Sequence, residues 1–301
     1  MTRPANIIRK GSNELAMQRL AGLMVTPAWL LIFLVFALPI FGAVYLSFRN
    51  ETLGSFTVPR FIGFENYENA FSDPRFWESI WVTLVIMGLG LIIQLPLGIG
   101  LALLMERPLR GIKAIRTVLI VPMLLTPVAV GLIWRFMFDT DLGVINWFLG
   151  HAFTSTPNWL GGRWPAIFAV TIVDSWQSIP FVMLISLAAL AGLPKGPREA
   201  AAIDGANALQ IFVHVTLPSL VPVLLVILMI RIIDAFKLFD IIFIVTQRGG
   251  PGTATQTLGM LTYNTGFTFF QTSRAAALGI LLVILVSPIY VLWRRAQRSG
   301  I

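Results

Sequence analysis

Four charged side chains fall inside one long apolar stretch of the chain, at Arg231, Asp234, Lys237 and Asp240. A charge inside a bilayer costs about 2.5–3.5 kcal/mol on insertion scales, so each of them needs an ionic partner or a wet cavity. A spacing of three places neighbouring side chains on one side of a helix, and here their signs alternate. Two compatible interpretations follow: ion pairs that neutralise one another within a helix bundle, or the lining of a hydrophilic channel.

A second polar group lies in the preceding apolar stretch, where Asp174, Gln177 and Ser178 offer hydrogen-bonding atoms. Trp176 and Phe181 add flat apolar faces in the same segment. A polyhydroxy ligand presents hydroxyl groups and apolar C–H faces together, so it suits a site in which a few polar groups stand among aromatic ones. We treat these five residues as a candidate binding surface.

Residues suited to covalent or metal chemistry are scarce in this sequence. It has no cysteine, which excludes disulfides, thiolate catalysis and cysteine-ligated metals in this chain, and its two histidines, His151 and His214, lie in different segments. A His-Glu-x-x-His metalloprotease helix is absent, and no lysine follows a glycine, which excludes a Gly-Lys-Ser/Thr phosphate loop. We therefore predict no catalytic site, no metal site and no cofactor in this chain.

The composition is that of a membrane protein. Of the 301 residues, 56% are hydrophobic and 12% are charged, and the mean hydropathy is +0.81. Soluble proteins carry about 25% charged residues. A net charge of +8 also occurs in soluble nucleic-acid binders, but here the charges cluster between apolar runs. We predict an all-α integral membrane protein with lipid, and not nucleic acid, as its surroundings.

Six apolar stretches could each cross a bilayer core about 30 Å thick, which needs roughly 20 helical residues. They lie between residues 19 and 49, 78 and 106, and 116 and 135, from 164 to 193, from 217 to 245, and between 274 and 294. Since backbone polar groups must be satisfied inside lipid, we predict six transmembrane helices. Prolines recur within them, and we interpret these either as packing kinks or as breaks along a substrate path.

Basic residues predict the orientation of the helices. Lys and Arg are concentrated at residues 3–19, 107–116, 195–198 and 294–298, in short segments that alternate with the apolar stretches, while seven of the 14 acidic residues fall in the other loops. The positive-inside rule then places both termini in the cytoplasm. The first stretch is too long for the core of a signal peptide, so we predict a retained anchor. The predicted divisions are a cytoplasmic segment 1–20, a first transmembrane helix 21–48, a five-helix core 79–293 that includes a loop at 194–218, and a cytoplasmic tail 294–301.

The loop between the fourth and fifth stretches has a pattern of its own. Glu199-Ala-Ala201 is followed after three residues by Gly205, and after nine more by Val215-Thr-Leu-Pro218. Pro197 suits the first turn of a helix and Glu199 its positive end. Gly205 would end that helix. We predict two short helices at an angle that form an exposed knob, the alternative being an ordinary interfacial turn.

This pattern resembles the signature loop of binding-protein-dependent ABC importer permeases, with Val215 where that family often has isoleucine. Segments 61–67, 73–77, 232–240 and 249–253 are similar to the first external loop, the fifth span and the following loop of the carbohydrate-uptake type, such as the maltose and glycerol-phosphate permease proteins. The resemblance implies the type I ABC importer permease fold with a cytoplasmic coupling-helix loop. It also implies a sugar, polyol or glycoside as substrate.

The resemblance further implies roles for individual residues. In that family the loop forms coupling helices that dock in a cleft of the ATPase, which here places coupling at Glu199, Ala200, Ala201, Asp204, Gly205, Leu217 and Pro218. It places the substrate path on the fourth span at the candidate binding surface, on the fifth span at Asp234, Phe236 and Lys237, and on the third near Met123 and Thr126.

The implied assembly contains a related second permease subunit, two ATPase subunits that bind ATP and magnesium, and an extracytoplasmic solute-binding protein, in a bacterial inner membrane. The alternative is a secondary transporter driven by an ion gradient. Such transporters often show internal repeats, and no clear repeat is visible here. An intramembrane enzyme is disfavoured by the positions of the two histidines, which lie in loops.

Overall fold

The computed structural model describes residues 17, 20, 22–54, 58–107, 110–152 and 156–298, with side chains described as far as residue 288. Most of the predicted segment 1–20, and residues 299–301 of the predicted tail, lie outside these ranges. Regular structure within them is helical apart from one isolated antiparallel bridge between Arg49 and Phe61. The helices are α1 (Gly22–Ser47), α2 (Glu65–Ser72), α3 (Pro74–Glu106), α4 (Ile112–Leu124), α5 (Pro127–Met137), α6 (Val144–Ala152), α7 (Arg163–Gly192), α8 (Gly196–Ile203), α9 (Ala208–Phe236), α10 (Asp240–Val245), α11 (Leu258–Tyr263) and α12 (Thr272–Arg298).

Four helices of the described residues, α1, α3, α7 and α9, are long and apolar enough to cross a membrane. The pair α4 and α5 passes the same test together but is bent by 97°, and α12 contributes a shorter apolar segment, Thr272–Pro288. The six predicted spans are therefore matched by four helices that pass the test alone, one bent pair, and α12, whose apolar segment is described as far as Pro288. The all-α membrane fold is confirmed, and the count of six complete spans stays a prediction.

The third predicted span is not one straight helix, because it breaks between α4 and α5. Thr126 precedes a proline and is extended, as the residue before proline prefers. Its hydroxyl accepts the Ala129 N–H at 3.4 Å, and Pro127 occupies the first turn, so α5 has its own cap. At Pro96, Pro180, Pro222 and Pro288 the helix continues through the proline. At Pro127 the helix is therefore broken, which is the second of the two interpretations of the prolines.

The fifth span differs from its prediction at both ends. Instead of running from 217 to 245, α9 begins at Ala208, where Asn207 and Gln210 form a reciprocal capping box. It ends at Phe236, where the Lys237 N–H turns back to the Asp234 carbonyl and the chain restarts as α10. A π turn at Phe212–Thr216 joins the two parts of α9. The π turn ends two residues before Pro218, which lacks an N–H to continue the regular hydrogen-bond ladder.

The centre of the bundle is the crossing of α3 and α7. Buried side chains from both helices, Val82, Ile86, Ile167 and Val173 among them, form one apolar core. At Gly98 the two backbones approach so closely that a Cβ atom there would lie 2.5 Å from the Val182 Cβ.

Replacing Gly98 with alanine should destabilise the permease by about 1–3 kcal/mol, the usual cost of overpacking a core. The matched control is Gly100→Ala on the same helix, because a Cβ atom at Gly100 meets nothing within 4 Å. The measurement is the thermal unfolding midpoint of each purified variant. Equal midpoints for the two variants would contradict the close crossing.

The end of the bundle opposite α8 is tied by polar contacts from the predicted first loop. The amide of Asn66 donates to the carbonyls of Ser47 and Arg49, at 2.8 Å each. Asp73 caps α3 and pairs with Arg274 at the start of α12 at 2.6 Å. Burial raises the pKa of Asp73, but the Arg75 backbone N–H and the guanidinium groups of Arg75 and Arg274 outweigh it and hold that pKa below its ordinary value. The charged carboxylate thus links the start of α3 with the start of α12, while Asn66 of α2 ties this segment to the end of α1.

Candidate functional site

A cleft of about 360 Å³ opens where α4, α5, α7 and α9 meet. It is lined by most of the residues that the sequence singled out for a substrate path. These are Met123, Asp174, Gln177, Ser178, Phe181, Asp234 and Lys237, and Pro127, Arg231, Phe239 and Asp240 join them. The break between α4 and α5 thus brings residues of the third span to the same cleft as the polar residues of the fourth and fifth.

A closed hydrogen-bonded triangle forms the wall of this cleft. The Arg231 guanidinium contacts the Asp174 carboxylate at 2.8 Å through Nη2 and the Gln94 carbonyl oxygen at 2.9 Å through Nε. The Gln94 amide in turn donates to the same Asp174 oxygen at 2.8 Å. The side chains of Arg231 and Asp174 are only 8% and 15% exposed. Each member is satisfied by the other two, as buried charges require, and the triangle joins α3, α7 and α9.

Two looser ion pairs continue from the triangle along α9. Asp234 contacts Arg231 at 3.5 Å and Lys237 at 3.3 Å, which confirms the first two pairs expected from the spacing of three. The described residues show no ion pair between Lys237 and Asp240. The physical reason is that α9 ends at Phe236, so Asp240 no longer shares a helix face with Lys237. With Lys237 62% exposed, we expect its pair to contribute little to stability.

Gln177 has a structural partner that the sequence did not reveal. Its amide nitrogen donates to the Leu125 carbonyl at 2.9 Å, at the break between α4 and α5. A helix that breaks inside a membrane leaves carbonyls without their usual partners, and a neighbouring side chain must satisfy them. Gln177 therefore ties the break between α4 and α5 to α7.

Three residues assigned to the substrate path do not line the cleft. Trp176 lies on another side of α7 and packs edge-on against Trp134, with ring centroids 5.7 Å apart. Phe236 is buried in the bundle, and Thr126 caps α5. Trp176 follows Asp174 by two residues, and Phe236 follows Asp234 by two. Residues two apart on a helix do not face the same way.

The predicted exposed loop contains one separate short helix, α8. Glu199, Ala200, Asp204 and Gly205 are exposed and Ala201 is half-buried. Gly205 has a φ of +85°, and the N–H groups of Gly205 and Ala206 return to the carbonyls of Ala202 and Ala201. This is the Schellman arrangement that favours glycine after a helix end. Gly205 thus ends α8, as expected, through a turn that requires a positive φ.

The second of the two predicted short helices is not separate. Residues 208–216 are the first turns of α9, so Leu217 and Pro218 lie within a helix that continues into the bundle. Leu217 is half-buried and Pro218 exposed. The physical reason is the π turn, which accommodates the proline without ending the helix. The knob is therefore α8 together with the projecting start of α9.

One contact at this knob was missed from the sequence. Arg198, in the first turn of α8, forms a two-pronged ion pair with Glu106, the last residue of α3, at 2.7 and 3.1 Å. The hydrogen bond to Glu106 raises the pKa of Arg198 above its ordinary value despite partial burial. Arg198 lies in the predicted loop 194–218 and Glu106 at the end of the second predicted span. They are 92 positions apart, and no sequence pattern relates them.

A family model described as the binding-protein-dependent transport system inner membrane component matches residues 94–299 of the chain. A probable ABC transporter permease protein of Sinorhizobium fredii is 38% identical over 281 residues, covering 91% of this chain and 89% of the relative. A trehalose/maltose transport system permease protein of Thermococcus litoralis is 32% identical, covering 93% and 94%. A sulfoquinovosyl glycerol transport system permease protein of Agrobacterium fabrum is 34% identical, covering 95% and 92%.

The fold has a solved counterpart. One chain of a bacterial ABC transporter involved in the import of the acidic polysaccharide alginate superposes with a TM-score of 0.82, covering 96% of this chain and 99% of that one. Its sequence identity of 22% limits the likeness to the fold. It supports the type I ABC importer permease architecture.

Proposed function

Since the chain belongs to the family of binding-protein-dependent transport system inner membrane components, we propose that it forms half of the translocation channel of an ABC importer for a sugar, polyol or glycoside. The observation that carries this proposal is the polar cleft, whose charged wall lies among apolar helices. A site that combines carboxylate, amide and hydroxyl groups with Phe181 and Met123 suits a polyhydroxy ligand. Relatives named for trehalose/maltose and sulfoquinovosyl glycerol transport support the substrate class.

The proposed partners follow from what this chain lacks and what it exposes. It has no phosphate loop of its own, so ATP and magnesium would be bound by two separate ATPase subunits. The docking surface for one of them would be the knob, with Glu199, Ala200, Ala201, Asp204 and Gly205 on or near α8 and with Leu217 and Pro218 further along α9. A second, related permease subunit would complete the channel, and a solute-binding protein would deliver the substrate from outside.

Uptake into proteoliposomes tests this proposal. The chain would be reconstituted with its ATPase, permease and solute-binding partners, and radiolabelled maltose, trehalose and glycerol phosphate would be offered in turn. We expect uptake that requires ATP on the ATPase side and the solute-binding protein on the other, and that survives an uncoupler. Uptake that does not require ATP and is abolished by the uncoupler would instead establish a secondary transporter.

The orientation is also part of the proposal, with both termini and the knob on the cytoplasmic side of a bacterial inner membrane. The excess of Lys and Arg in the segments on that side supports it. A reporter that is active only outside the cytoplasm should be silent when fused after Ile301 and active when inserted at Asn158. An active C-terminal fusion would contradict the orientation.

A further inference from the structure

The ion pair between Arg198 and Glu106 is the feature of the knob that no part of the proposed function yet explains. The two terminal guanidinium nitrogens of Arg198 each donate to one carboxylate oxygen of Glu106, at 2.7 and 3.1 Å, which fixes the relative orientation of the two groups as well as their distance. Their side chains are 29% and 31% exposed. The pair therefore stands at the surface, where its removal opens no cavity in a core.

Packing holds α8 only weakly. None of the eight residues of α8 is buried. Clefts of about 550 and 350 Å³ lie on the two sides of the ion pair, and both Arg198 and Glu106 line each of them. Two open clefts leave little apolar packing between α8 and the end of α3, so the ion pair itself determines how the two helices are placed.

Besides the three-residue link from α8 back to the end of α7, which carries Asp174, two routes connect α8 with the charged triangle in the cleft. One follows the chain into α9, which carries Arg231. The other crosses the ion pair to Glu106 and follows α3 to Gln94, twelve residues and about 18 Å away at the helical rise of 1.5 Å. Both routes end at the same hydrogen bond, between the Arg231 guanidinium and the Gln94 carbonyl oxygen at 2.9 Å. If α8 moved without the ion pair, α7 and α9 would follow directly, and α3 would follow only through its contacts with them, which include the hydrogen bond between Arg231 and Gln94.

We propose that the Arg198–Glu106 ion pair is the positioning contact that passes the displacement of α8 by the ATPase directly to the end of α3. This inference rests on the proposed function, since it takes α8 to be the element that the ATPase contacts. Arg198 and Glu106 touch neither substrate nor nucleotide in this arrangement. They act through α3, on the geometry of the cleft.

The test measures substrate transported per ATP hydrolysed in the reconstituted importer, for Glu106→Gln and for Arg198→Gln. Couplings between sites commonly correspond to about 5- to 150-fold, and for a partly exposed pair we expect a loss near the lower end, about fivefold. Hydrolysis by itself should continue, because the ATPase still docks. The exchanged double variant, Glu106→Arg with Arg198→Glu, should regain most of the lost coupling because it restores the pair.

A matched control removes an ion pair of similar length at the other end of α3. Arg163 contacts Glu78 at 2.9 Å with comparable exposure, so Arg163→Gln should leave transport per ATP unchanged. Full coupling in both single variants would overturn the inference, and so would failure of the exchanged pair to restore it. Loss of co-purifying ATPase in the single variants would also overturn it, because the pair would then serve docking. The wild-type importer is measured first, so a failure of the proposed function would show there and not in the variants.

Discussion

Gly205→Asp is expected to reduce transport at least about twentyfold while the permease still accumulates in the membrane. Aspartate tolerates a positive φ better than most residues, so the turn that ends α8 should survive. The new carboxylate would instead lie at the proposed ATPase contact. Truncating or unbalancing a buried charge at an interface costs about 2–5 kcal/mol, and about 1.4 kcal/mol is a tenfold change in affinity. Co-purification of the ATPase and the transport rate are the two measurements.

Two further variants separate charge from backbone strain. Gly205→Asn adds nearly the same bulk without charge and should lose less. Gly54→Asp introduces the same side chain at a second glycine of nearly equal φ, +78° against +85°, also with nothing within 4 Å of the new Cβ. It lies away from α8 and should transport normally. A Gly205→Asp permease with stoichiometric ATPase and normal transport would remove the main support for α8 as the coupling element.

Arg231→Met is expected to destabilise the permease by about 3–5 kcal/mol, because it leaves the carboxylate of Asp174 buried without its cation. The effect should appear as a lower thermal midpoint and less protein in the membrane. Lys237→Met is the stability control. It removes a cation of the same cleft, but one whose side chain is largely exposed. Surface substitutions usually change the free energy of unfolding by no more than about 0.5 kcal/mol.

A double variant then distinguishes stability from transport. Replacing a buried ion pair by apolar residues of similar volume is often neutral or stabilising, so Arg231→Met with Asp174→Leu should regain part of the thermal midpoint, short of the wild type because the Gln94 carbonyl oxygen loses its donor. Transport should remain lost, because the cleft has lost its charged wall. Recovery of both properties would show that this wall has no part in substrate passage.

The sequence predicted those parts of the molecule that depend on local pattern. The length and apolarity of α3 and α7 followed from the bilayer requirement, and the positive φ of Gly205 followed from a helix that had to end. The break at Pro127 was readable as well, since a threonine directly before a proline is a frequent helix start. The sequence analysis left it open, because a proline in an uncharged apolar stretch fits a packing kink as well as a break.

What the sequence could not supply was pairing across helices. Gln94 is one amide in a long apolar run, and only the packing of α3 against α7 and α9 shows that it completes an ion pair. The contact of Arg198 with Glu106 likewise depends on where two helices end in space. Trp176 and Phe236 do not line the cleft, because each lies two positions from a carboxylate that does, and so on a different helix face. The helical spacing alone implies this separation once the carboxylates are located.

The triangle of Gln94, Asp174 and Arg231 limits how many independent bodies this bundle can contain. Separating α3, α7 and α9 from one another would leave a guanidinium, a carboxylate and an amide without partners among apolar helices. These three helices therefore have few relative degrees of freedom at the level of the triangle. Rotation of the three helices as a group needs a hinge elsewhere, and the 97° corner between α4 and α5, where the regular helical ladder is interrupted, is one segment of the described chain that could provide it.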